Sequence, residues 1–233
     1  MIAKNHVLIL TKTLALAACS KMPHQSDKIT GGKNPDHEKQ SEDSGENPRT
    51  LSGRWEAKCY FDKDPDIEAG DRYRISNVEF KNGQFKLVST EFSRTDPTCS
   101  NRRGVVEVRG TYVQGEKTAL NDDNHDKYEL DLIRDYVTIT IHDQDTLEAM
   151  NGALKEYPPP PECDVGPFVL GEPKDYSPRG CEVTGRLFTT YQILPDGSLG
   201  MGGDQEATED RDGSTAAQRI QILGSARYKR VSK

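Results

Sequence analysis

The chain has 233 residues, of which 33% are hydrophobic and 30% charged, with five cysteines and a formal charge of −7. The mean hydropathy is −0.80 and the pI about 5.3. A low apolar fraction implies that part of the chain stays unpacked. The negative balance argues against a nucleic-acid binder, which needs a basic face. No run of about 18 apolar residues is present to form a membrane-spanning helix.

Met1–Ala18 reads as an export segment. Lys4 supplies the positive start, and Val7-Leu8-Ile9-Leu10 and Leu14-Ala15-Leu16-Ala17-Ala18 supply the apolar stretch. Lys12 interrupts it, with a stem long enough to snorkel. Its end, Leu16-Ala17-Ala18-Cys19, resembles the lipobox of bacterial lipoproteins. The resemblance implies lipid on the Cys19 sulfur, cleavage before it and acylation of the new N-terminus. Ser20, where an Asp would signal inner-membrane retention, implies the outer membrane.

Cysteine arithmetic agrees with that address. With Cys19 set aside, Cys59, Cys99, Cys163 and Cys181 form an even set for an oxidising compartment. Four cysteines allow three connectivities. The expected pairing is Cys59–Cys99 and Cys163–Cys181, since each then flanks one contiguous block. CxxC spacings, which a four-cysteine zinc site favours, are absent.

Residues 19–50, the lipid-bearing Cys19 and the stretch to Thr50, lack apolar periodicity and read as a disordered stalk. A coil of about thirty residues spans roughly 30 Å, enough to hold a domain off a membrane. From Leu51 to Lys233 the pattern changes to short strands and turns. Gly53-Arg54-Trp55 opens the first strand. Arg72–Phe80 and Gln84–Phe92 flank Asn82-Gly83, a strong hairpin signal. Gly104–Val113, Lys127–Ile133 and Tyr136–His142 follow as three separate strands. A helix is expected with Asp143 or Asp145 as its cap, apolar at Leu147, Met150 and Leu154, and ended by Tyr157-Pro158. Pro158–Pro161 reads as a stiff spacer. Val183–Leu194, Ser198–Met201, Arg219–Leu223 and Ala226–Val231 complete a mainly β domain. The expected architecture is an antiparallel β-barrel or sandwich of about eight to ten strands with one short helix.

Gly53-x-Trp55 resembles the Gly-x-Trp of lipocalins and other calycin barrels. There the Trp plugs one barrel end and an Arg of the last strand packs over it; Arg227 or Arg230 would match. A longer series is similar to exported bacterial lipocalin-like domains. It runs from Cys59 through Val78-Glu79-Phe80, Asp96-Pro97-Thr98-Cys99 and Gly110-Thr111-Tyr112 to Cys163, Leu170-Gly171, Lys174-Asp175 and Cys181. It continues with Tyr191-Gln192-Ile193, Asp196-Gly197-Ser198-Leu199, Gly203-Asp204, Asp212-Gly213-Ser214, Arg219 and Tyr228. Gly166-Pro167-Phe168 departs from it where a Trp is common. The resemblance implies a lipocalin-like fold and an envelope location, and no particular activity.

The search for chemistry finds no Gly-x-Ser-x-Gly, Ser-x-x-Lys, His-Glu-x-x-His or Walker loop. His125 and His142 read as a loop and a strand-end residue. Asp62-x-Asp64-x-Asp66 begins like an EF-hand, but Ile67 and Tyr73 break the pattern at the glycine and glutamate positions. Asn121-Asp122-Asp123 and Asp204–Asp212 read as solvated loops, with Ca2+ the only metal they suggest. No cofactor is expected beyond the covalent lipid. Low aromatic content favours a filled interior. A hollow one would be lined by Phe85, Leu87, Tyr112, Tyr128, Leu130, Phe188 and Tyr191.

These readings favour a monomeric, non-enzymatic binding or interaction domain. Its partner would be an envelope or extracellular protein, or a small apolar ligand inside the barrel. The rivals are an enzyme inhibitor presenting the Cys163–Cys181 loop, a carboxylate-dependent hydrolase, and a purely structural envelope lipoprotein.

Overall fold

The computed structural model describes residues 50–63, 71–118, 126–156, 158–159, 166–177, 185–202 and 213–231. Cys19 and the stalk, Cys163, Cys181, His125 and the acidic stretches at 64–66, 121–123 and 204–212 lie outside the described residues.

The elements in chain order are β1 Gly53–Asp62, β2 Arg72–Lys81, β3 Gln84–Phe92, β4 Arg102–Lys117, β5 Lys127–Ile141 and α1 Gln144–Glu156, followed by β6 Pro173–Asp175, β7 Gly185–Ile193, β8 Leu199–Met201 and β9 Lys229–Arg230. All pairings are antiparallel, in the order β8-β7-β5-β4-β3-β2-β1-β9, with β6 on β5. Leu199 and Tyr228 exchange backbone hydrogen bonds of 2.8 and 3.0 Å, joining the two ends of this order. The protein is a nearly closed eight-strand barrel with one short helix. Closure of this kind leaves little sheet edge to protect.

Local chemistry places the turns. Lys81 pairs with Gln84 across Asn82-Gly83, both at positive φ (52° and 74°), the two-residue hairpin that such a dipeptide favours. Asp143 caps α1: its Oδ2 accepts from the Thr146 backbone N–H at 2.9 Å and from the Thr146 hydroxyl at 2.6 Å.

The two strands expected at Lys127–Ile133 and Tyr136–His142 are one strand, β5. Gly110 of β4 pairs with Arg134, and Arg109 with Tyr136, leaving Asp135 as an extra residue. That bulge changes the inward parity from even (Tyr128, Leu130, Leu132) to odd (Val137, Ile139, Ile141), so both halves face the interior. Only glycine fits opposite it, since a β-carbon on Gly110 would sit 1.8 Å from the Ile133 carbonyl oxygen. The bulge also divides the partners of β5: Lys127–Arg134 pairs with β7, and Thr138–Thr140 with β6.

Two apolar clusters share this interior. One gathers Leu51, Trp55, Ala57, Val78, Phe80, Phe85, Leu130, Tyr191, Leu199 and Tyr228. The other joins Val137, Ile139 and Ile141 to Met150, Phe168 and Tyr176, and Val108 touches both. The Arg219–Leu223 segment, expected as a strand, is irregular. Ile220 N–H donates to the Phe188 carbonyl at 3.0 Å, and Arg219 is absorbed into side-chain contacts.

Candidate functional site

The candidate site is the barrel interior, one end of which is packed around Trp55. The indole is 1% exposed, and its Nε1–H donates to the Leu51 carbonyl at 2.8 Å. Trp55 pairs with Arg230 across β1 and β9, and the Arg230 guanidinium lies 4.7 Å from the ring centroid. Arg230 also donates to the carbonyls of Thr50 (2.5 Å) and Ser52 (3.1 Å), tying the chain entry to the last strand. Arg227 instead bonds its own neighbours, the carbonyls of Gly224 and Ala226.

Of the seven residues proposed as a lining, six come together in one cluster: Phe85, Leu87, Tyr112, Tyr128, Leu130 and Tyr191. Tyr112 meets Phe80 edge-on at 5.0 Å, and Tyr128 stacks on Tyr191 at 5.5 Å. Phe188 is a correction. It pairs with Asp131, whose neighbours Leu130 and Leu132 face inward, so Phe188 takes the outer face. There it packs against the guanidinium groups of Arg186 (4.7 Å) and Arg219 (5.4 Å). Arg219 donates to Asp131 Oδ1 at 2.6 Å and to the Thr189 carbonyl at 2.9 Å.

Packing within the interior is uneven. At the Trp55 end, Leu51, Phe80, Leu130 and Leu199 are buried. In the middle, Leu87, Val106, Val108, Leu132 and Ser89 face inward by register yet remain half-buried. The interior is therefore filled at one end and accessible midway.

Beside that accessible wall lies a polar network. On β2 the inward face reads Arg72, Arg74, Ser76, Val78, Phe80, and on β3 it reads Phe85, Leu87, Ser89, Glu91. Arg74 bridges two carboxylates: Nη1 lies 2.8 Å from Asp62 and Nη2 2.7 Å from Glu91. Arg72 Nε stands 3.7 Å from each of the same two carboxylates. The hydroxyls of Tyr60, Ser76 and Ser89 form a chain with steps of 3.1 Å. Burial pushes the Glu91 carboxyl up, but Arg72 and Arg74 outweigh it and hold it below its ordinary range. Burial opposes charge on Arg74 too, and Glu91 and Asp62 reverse that effect. Glu91 is thus an ionised acceptor at neutral pH, suited to binding rather than to donating a proton.

Sequence reasoning missed this network, though its signal was present. The alternation that puts Val78 and Phe80 on one face of β2 also puts Arg72, Arg74 and Ser76 there. His142 is half-buried at the end of β5, and burial and Arg102 lower its pKa. Among the described residues no group of three His, Cys, Asp or Glu side chains is arranged to hold a metal ion.

The Cys59–Cys99 disulfide is formed, with a Cα–Cα distance of 5.9 Å. It joins β1, at a register shift between Ala57 and Tyr60, to the β3–β4 loop. Asp96 organises that loop by accepting from the N–H groups of Asn101 (2.8 Å) and Ser100 (3.0 Å). No helix among the described residues is long and apolar enough to cross a membrane.

The chain matches no known protein family and no curated protein sequence.

Proposed function

We propose that this chain is an exported, lipid-anchored envelope protein of lipocalin-like type. Its barrel is a non-enzymatic binding module that holds a small amphipathic ligand inside. The observation that carries this reading is the half-buried inward wall of Leu87, Val106, Val108 and Leu132 between a packed apolar end and a buried polar network. Ligand sites combine a mainly apolar concave lining with a few placed polar groups. The Arg230–Trp55 stack supports the calycin resemblance, and the Leu16-Ala17-Ala18-Cys19 sequence supports the anchor.

Native and denatured masses of the full chain carrying Cys19→Ser, taken from an oxidising periplasm, test the binding reading. Extra mass released on denaturation is the expected result; a native mass equal to the bare chain overturns it. For the anchor, wild-type protein should fractionate with membranes and the Cys19→Ser variant should not. Retention of the variant on membranes would sink the anchor.

A second reading, docking of a protein partner, is favoured by Val169 and Leu170, 51% and 45% exposed. They stand on a rigid base. Asn151 Nδ2 donates to the Phe168 carbonyl at 3.0 Å, and the Phe168 N–H donates to Asn151 Oδ1 at 2.7 Å. If partners captured from envelope extracts are unchanged by a Val169→Ser, Leu170→Ser double substitution, this reading fails.

A further inference from the structure

We infer that the ligand's head group carries no net charge: it is a hydroxyl- or amide-bearing amphiphile whose head bonds at Ser89 and Tyr60 beside the Arg74–Glu91 pair, with its chain along Leu87, Val106, Val108 and Leu132. This rests on the reading of the interior as a binding site, and specifies what that site selects.

Charge balance carries the argument. The β1–β3 wall holds two arginines and two carboxylates, Arg72, Arg74, Asp62 and Glu91, mutually paired and with side chains 6–15% exposed. Arg134 pairs with Gly110 in the row of Phe85, three inward rows along the sheet from the row of Arg74 and Glu91, so the charge beside the head group is that of the β1–β3 wall. A carboxylate or ammonium head entering this space would lose its hydration and meet a wall with no net charge to compensate it. A neutral polar head avoids that cost and still needs hydrogen bonds. The hydroxyl chain supplies them. Three hydroxyls share two mutual hydrogen bonds, leaving one donor hydrogen and spare lone pairs, with half-buried Ser89 at one end. Ser89 lies next to Leu87 on the inward face of β3 and pairs with Val106 on β4, so the polar head and apolar chain positions adjoin.

The test is a native mass titration of the full chain carrying Cys19→Ser with three probes sharing one C18 chain: 1-monooleoylglycerol, oleate and oleylamine. The glycerol ester should bind at least about tenfold more tightly than either charged probe. Equal or tighter binding of oleate or oleylamine overturns the head-group inference while interior binding stands. Binding of none of the three overturns both. Ser89→Ala should weaken 1-monooleoylglycerol by about fivefold, the worth of a typical hydrogen bond, and leave oleate unchanged; an unchanged glycerol ester overturns the inference. Glu91→Gln leaves the wall positive and should move the preference toward oleate by about tenfold, and an unmoved preference overturns the inference. Should that variant not fold, Ser89→Ala carries the decision.

Discussion

Arg230 lies over Trp55 with its guanidinium 4.7 Å from the indole centroid, on directly paired positions of β9 and β1. Trp55 is among the first residues of the barrel and Arg230 among the last, so this contact joins the two ends of the domain where the sheet closes. Cation–π contacts at partly exposed sites are worth about 0.5–1 kcal/mol, and Arg230 adds hydrogen bonds to Thr50 and Ser52. Arg230→Ala should therefore cost about 1.5–2 kcal/mol in urea unfolding. Arg227→Ala, which loses only contacts to Gly224 and Ala226, should cost under about 1 kcal/mol. Equal losses would show that the stack is not what distinguishes the two arginines.

The disulfide spans a sequence separation of 40 residues. On the chain-entropy account, closing a loop of that size stabilises by about 4 kcal/mol. The Cys59→Ala, Cys99→Ala double variant should lose roughly that much. In a Cys163→Ala, Cys181→Ala background, reduction should bring the unfolding midpoint to that of the variant lacking all four of these cysteines.

The Glu91 carboxyl has a folded pKa below its unfolded one, because Arg72 and Arg74 outweigh the opposing effect of burial. Its contribution is therefore fully present above the unfolded value of about 4.3 and is lost as pH falls toward the folded value. At pH 7, Glu91→Gln should destabilise by about 3 kcal/mol, since it leaves arginines without a buried counter-charge. The gap between variant and wild type should narrow as pH drops from about 5 to 3. A gap independent of pH would mean that the ionised form is not what the network holds.

Deleting Asp135 should remove the β5 bulge. Val137, Ile139 and Ile141 would then turn to the opposite face, because a slip of one residue reverses every side chain in a strand. The expected outcome is loss of cooperative unfolding and of near-ultraviolet circular dichroism, whereas Asp135→Ala should stay within about 0.5 kcal/mol of wild type.

Tyr176 is 2% exposed, stacks on Phe168 at 5.7 Å and has a hydroxyl with no hydrogen-bond partner among the described residues. Burial raises its pKa. An unmet buried hydroxyl costs about 1–3 kcal/mol, so Tyr176→Phe should be neutral or stabilise by about 1 kcal/mol. A clear destabilisation would reveal a buried water or ligand atom at that hydroxyl.

Much of the architecture was legible in sequence because it rests on local rules. Alternation marked β2 and β3, Asn82-Gly83 marked the turn between them, and Leu147, Met150 and Leu154 after Asp143 or Asp145 marked the helix, with the choice of Asp143 as cap left to the structure. Those residues act through neighbours two to four positions away, so spacing alone carries the information. The polar network was half legible: parity puts Arg72, Arg74, Ser89 and Glu91 on inward faces, but only the pairing of β1, β2 and β3 brings their charges within reach of one another.

Tertiary structure decided the rest. Phe188 alternates correctly for the interior only if β7 starts on the other face, and it is the register against β5 that turns it outward to Arg186 and Arg219. Arg230 and Arg227 are indistinguishable by type and distance from the end of the chain; the pairing of β9 with β1 selects Arg230. The bulge at Asp135 merges two expected strands because Gly110, on another strand, gives the carbonyl of Ile133 room. Sequence by itself thus located most of the strands, though not β6, the continuity of β5 or the irregular course of Arg219–Leu223, and showed which side chains alternate together. Register, set by contacts between segments tens of residues apart, determined which of those faces became the inside.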